Sequence, residues 1–82
     1  PLTGGATRIG FAVPRTTDVT LRVFDVTGRL VKTLVNGPVE AGAHAVDWDA
    51  RNGEGRSVAN GVYFYRLQAA GEFATRKMTL IR

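Results

Sequence analysis

Apolar and polar residues alternate with a period of two along most of this chain, and each alternating run ends in turn-forming residues. A strand with one buried face gives this pattern, whereas an amphipathic helix would repeat its apolar positions every ~3.6 residues. Ile9, Phe11 and Val13 alternate until Pro14, which lacks the N–H a ladder needs. Val19, Leu21 and Val23 alternate in a second run, and after Thr27-Gly28-Arg29 a short strand spans Leu30 to Val35. Asn36-Gly37-Pro38 is expected to end it, since glycine takes positive φ and proline fixes the bend. His44, Val46 and Trp48 mark another strand, followed by the longest loop, Ala50 to Asn60, with two glycines, two asparagines and a serine. Beyond Gly61 the run VYFYRLQAA is dense in aromatic and branched residues, and Ala70-Gly71 joins it as a hairpin to a final strand, Glu72 to Ile81. The spacing predicts an all-β fold, an immunoglobulin-like antiparallel β-sandwich of about seven strands.

A chain of 82 residues supports one core and one domain. Alternation assigns that core to Phe11, Leu21, Val23, Val46, Trp48, Tyr63, Tyr65, Leu67, Met78 and Leu80. Without cysteine the fold cannot rely on disulfides, so packing must carry it. The chain opens at Pro1 with no basic and apolar leader, and no apolar run nears the ~20 residues of a membrane span. It therefore reads as a piece excised from a larger protein, with no membrane insertion expected. Eleven Lys and Arg against seven Asp and Glu give a net charge of +4. Most of the cations are spread evenly, and only Arg76, Lys77 and Arg82 approach a cluster. A nucleic-acid footprint would need a contiguous basic stripe, so no nucleic-acid partner is expected.

The residues offer little to catalysis. His44 is the only histidine, there is no nucleophile elbow around Ser57, and no glycine-rich segment joins a strand to a helix start. A transition-metal site would have to be built from carboxylates. Asp47, Asp49, Asn52 and Glu54 set hard oxygens beside a glycine-rich loop, which is what calcium requires, although the spacing is not that of an EF-hand. The competing reading makes Asp49 and Asn52 caps of the loop's own backbone, and it is preferred; no cofactor is expected. Trp48, Tyr63, Phe64, Tyr65 and Phe73 could form a sugar-stacking platform, but a domain this small needs its bulky residues inside.

The segments LRVFDVTGRLVKTLVNG, AGAHAVDWDARNGEGRSVANGVYFYRL and ATRKMTLIR together resemble the FlgD-like immunoglobulin-fold domains, including the C-terminal sorting domains of the type IX (Por) secretion system. The resemblance spans nearly the whole chain. It implies a single C-terminal module, residues 1–82, of a larger exported protein, often a hydrolase, secreted or held at the cell surface. Its partner would be outer-membrane secretion machinery or a cell-surface component, and the module itself would be monomeric and non-catalytic. By position, the family's Gly-x-Tyr motif falls on Gly61 and Tyr63, and its basic and apolar ending on Lys77, Leu80 and Arg82. The usual Asn-Pro opening is replaced by Pro1-Leu2-Thr3-Gly4-Gly5. Since the same fold occurs in flagellar hook-capping proteins, three functions stay in competition: a sorting and attachment module, a carbohydrate-binding module, and a passive structural spacer.

Overall fold

The computed structural model describes residues 2–3 and 6–81, and every strand in it is antiparallel. In chain order the strands are β1 (Leu2–Thr3), β2 (Ala6–Val13), β3 (Thr17–Asp25), β4 (Leu30–Val39), β5 (Gly42–Trp48), β6 (Gly61–Ala69) and β7 (Glu72–Leu80). They form a three-stranded sheet, β1-β2-β5, and a four-stranded sheet, β4-β3-β6-β7. The chain changes sheet after β2, after β4 and after β5, so the sandwich is stitched by three crossings. This is the immunoglobulin-like sandwich that the alternation predicts.

Alternation places the core. Val19, Leu21 and Val23 of β3 are all but solvent-free, as are Ile9 and Val13 of β2 and Trp48 of β5 in the other sheet, and Val23 clusters with Trp48. Tyr63 and Leu80 close the same layer from β6 and β7. Five of the ten expected core residues are buried: Leu21, Val23, Trp48, Tyr63 and Leu80. Phe11, Val46, Tyr65, Leu67 and Met78 are only half-buried. Val46 and Met78 lie on the edge strands β5 and β7, and Leu67 lines an open groove with Val13 and Pro14, so these side chains keep one side in water.

One further expectation is corrected. β4 does not stop at Val35 but runs to Val39, through Gly37 and Pro38, which pair with Val19 and Asp18. β4 is an edge strand, and there a proline can turn its missing donor away from the ladder. Ala50, assigned to the loop, is fully buried. Its φ of 61° bends the chain back immediately after β5, and its methyl joins Trp48, Val23, Tyr63 and Leu80 in one cluster.

Candidate functional site

The loop between β5 and β6 is held by the core beside it. The Trp48 indole Nε1–H donates to the Arg51 carbonyl at 2.9 Å, and the ring meets Tyr63 edge-on with centroids 5.2 Å apart. Tyr63 in turn donates its hydroxyl to the Ala59 carbonyl at 2.7 Å, so the polar tips of both buried aromatics fasten the two ends of the loop. A tyrosine that bonds back to the backbone a few residues upstream is a device of immunoglobulin-like corners. Gly61 opens β6 with φ 151°, a conformation that favours glycine. Gly61 and Tyr63 therefore build the corner, and Leu80, 1% exposed, is core. None of these three presents a side chain to a partner. Of the residues the family's pattern marks for sorting, Lys77 is exposed, and Arg82 lies outside the described residues.

The loop's oxygens are committed to its own backbone. Asn52 Oδ1 accepts from the N–H groups of Glu54 and Arg56 at 2.9 and 3.0 Å. Asp49 Oδ1 accepts from the Arg51 N–H at 3.1 Å and lies 3.5 Å from Lys32 Nζ. Asp47 pairs across the strands with Arg8 at 3.1 Å, and Glu54 is exposed. Among the described residues no group of three or more His, Asp or Glu side chains is placed to hold a metal ion. His44 stacks on Phe11 with centroids 5.5 Å apart and sets Nε2 2.6 Å from the Glu40 carbonyl.

Two surfaces remain. The first is β7, which pairs with β6 on one side only and is exposed on both faces from Glu72 to Lys77 before Met78 and Leu80 turn inward. Its outward residues include Thr75, Lys77 and Thr79. The second is the outer face of the four-stranded sheet. The register sets Phe24 opposite Phe64 and Arg22 opposite Arg66, with Lys77, Thr75 and Phe73 of β7 next in those rows and the one beyond. Phe73 is 65% exposed, so it is not a core residue as its bulk would suggest, and the Arg66 guanidinium lies 4.7 Å from its ring centroid. Sequence reasoning missed this face because arginines distant in the chain looked scattered, and only strand register brings them together. The available signal was the presence of Arg and Phe at outward positions of the two strands richest in apolar residues.

The sequence profile described as the FlgD Ig-like domain matches residues 2–72. The basal-body rod modification protein FlgD of Salmonella typhimurium is 38% identical over 52 residues, which is 63% of this chain, and the same holds for FlgD of Salmonella typhi. The chain spans 22% of the length of these relatives. Among solved structures, FlgD from P. aeruginosa superposes with a TM-score of 0.71 at 22% identity, covering 92% of this chain and 60% of that one. PorZ of Porphyromonas gingivalis, described as an essential bacterial surface component of the type-IX secretion system, superposes with a TM-score of 0.59 at 22% identity, covering 95% of this chain and 12% of that one.

Proposed function

Since the chain belongs to the FlgD Ig-like domain family, we propose that it is a non-catalytic module that carries an attached polypeptide out of the cell and holds it at the surface. The observation that supports this reading is β7. It is a nine-residue edge strand with one unpaired backbone edge and a cationic, β-patterned sequence. An exposed strand edge offers main-chain groups to a receptor, while Lys77, Thr75 and Thr79 give that receptor side chains to read. The shared fold with a surface component of the type-IX secretion system supports the same direction. A second reading makes the domain a structural part of a larger assembly, since the FlgD relatives are described as basal-body rod modification proteins; the 38% identity favours it.

The test fuses residues 1–82 behind a periplasm-directed reporter in a host with a type IX system. The sorting reading expects the reporter at the surface or in the medium, and expects Lys77→Gln with Arg82→Gln to retain it in the periplasm. Lys77 is exposed, and removing an exposed charge costs little stability, so loss of export in a variant that still folds reflects lost recognition. A fusion that stays periplasmic although folded rejects sorting in favour of the structural role.

A further inference from the structure

We propose that the outer face of the four-stranded sheet binds an acidic polysaccharide, with a sugar oxyanion held between Arg22 and Arg66 and neighbouring sugar rings resting on Phe24, Phe64 and Phe73. Leu21 and Val23 are fully buried, so the residues between and beside them, Thr20, Arg22 and Phe24, point out of the sandwich. On β6 the partners of these three are Gln68, Arg66 and Phe64. On β7, Lys77, Thr75 and Phe73 stand opposite Phe64, Arg66 and Gln68. These rows across β3, β6 and β7 thus hold three cations and no carboxylate.

Arg22 and Arg66 are directly opposed on two central strands, an arrangement that like charges disfavour. A local rule broken without a compensating partner is the kind of inconsistency that functional sites carry. Arg22 has no ion pair among the described residues. Arg66 has only the ring of Phe73 and, at 3.5 Å, the hydroxyl of Thr75, which aim the guanidinium without neutralising it. The closest carboxylate in sequence, Asp25, spends Oδ1 on its own turn, accepting from Thr27 and Arg29.

A depression of about 60 Å³ on this face is lined by Thr20, Arg22, Phe24, Arg66 and Gln68. That is room for roughly two water molecules, or one carboxylate. Every polar group in the lining can donate, and two guanidinium forks match an oxyanion bidentately. Beside it runs a shallow groove of about 330 Å³ lined by Phe24, Phe64, Val26, Arg66 and Thr75, with Asp25, whose Oδ1 is held by its own turn, at its side. Outward rows are ~7 Å apart, so Phe73 makes a second shelf ~14 Å from the Phe24–Phe64 pair, with the anion site between them.

This order decides the class of ligand. A protein interface concentrates apolar residues at its centre and charge at its rim. Here charge is central and the ring-sized apolar shelves are peripheral, which suits a linear chain of rings bearing anions. β3 and β6 are paired on both sides, so this face offers no free backbone for an added peptide strand. A nucleic acid would want a basic track longer than three cations.

The experiment titrates the 82-residue chain with polygalacturonate by calorimetry, beside dextran, poly-L-glutamate and a single-stranded oligonucleotide. The proposal expects polygalacturonate to bind and dextran not to. Arg22→Gln and Arg66→Gln should each weaken binding at least about tenfold, as loss of a charge-assisted pair does. Phe73→Ala should weaken it as well. Arg22→Gln should melt no lower than the parent, since it relieves the opposed charges, so weak binding there is not misfolding. Arg8→Gln, on the other sheet, should bind as the parent does. The proposal is overturned if polygalacturonate does not bind, or if Arg8→Gln weakens binding as much as Arg22→Gln. It is also overturned if poly-L-glutamate or the oligonucleotide binds equally well through Arg22 and Arg66.

Discussion

Replacing Trp48 tests the packing argument most directly, because this side chain has no exposed surface and serves both the core and the loop. At ~0.05–0.15 kcal/mol per residue, a domain of 82 residues has ~4–12 kcal/mol of stability. An indole buries up to ~250 Å², which at ~25 cal/mol per Å² sets an upper bound of ~6 kcal/mol on its transfer term. Truncations of buried aromatics to alanine cost ~3–5 kcal/mol in practice, so Trp48→Ala should remove about a quarter or more of the total. Trp48→Phe keeps most of the ring contact with Tyr63 but leaves the Arg51 carbonyl without its donor, at ~1–3 kcal/mol. Far-UV circular dichroism melts are the right assay, since Trp48 is the only tryptophan and its fluorescence disappears with it. For a domain of this size 1 kcal/mol shifts Tm by ~4–8 °C, so the alanine variant should lose at least ~12 °C and the phenylalanine variant less. An alanine variant within ~1 kcal/mol of the parent would refute the placement of Trp48 at the centre of the cluster.

Ala70 and Gly71 connect β6 to β7 with φ 52° and 80°, the two positive values of a type I′ turn. Alanine pays for the left-handed conformation and asparagine tolerates it, so Ala70→Asn should gain ~0.5–1 kcal/mol in a urea titration, and no gain would contradict the turn. Asp25 is held below the carboxylate's usual 3.8, first by the Thr27 hydroxyl and then by the Arg29 N–H. Its depressed pKa means that its contribution is present above the unfolded value and is lost as pH falls through the folded one. Asp25→Asn should therefore lower Tm at pH 7, and the gap to the parent should close below about pH 4; a gap that persists unchanged at pH 2 would reject the linkage.

Strand positions were legible because a half-buried strand has one sequence signature and turns have another. β2, β3 and β5 follow directly from Ile9-x-Phe11-x-Val13, Val19-x-Leu21-x-Val23 and His44-x-Val46-x-Trp48. β4 ran past its expected end because proline breaks a strand only where the ladder needs its N–H, and sequence does not say which strands are edges. Ala50 was hidden for a similar reason: a non-glycine residue with positive φ carries no mark in the sequence, so the inward bend after β5 could not be foreseen. Phe73 was weighed by its bulk, and only the pairing with Gln68 on the outer face shows why it stays wet. The Arg22–Arg66 pair belongs to the same class, since alternation gives the face of each residue and register alone gives its neighbour.

The residues that make the family recognisable are mostly those that make the fold. Trp48 and Tyr63 fasten the loop, Gly61 supplies the backbone turn that β6 needs, and Leu80 fills the core. Buried residues of this kind cannot be touched by a partner of the folded domain, so sharing them transmits a scaffold and leaves the binding surface open to change. That accounts for one fold in a rod modification protein and in a secretion-system surface component. The two proposals accordingly look to what the scaffold leaves outside: the β7 edge with Lys77, and the sheet face with Arg22, Arg66 and Phe73. The two surfaces adjoin along β7 and share Lys77, but Arg22 belongs to the sheet face alone. Arg22→Gln, which lies two strands from the free edge of β7, should weaken polysaccharide binding at least about tenfold without changing export. If it stopped both, recognition of a glycan would itself be the export step, and the two readings would reduce to one.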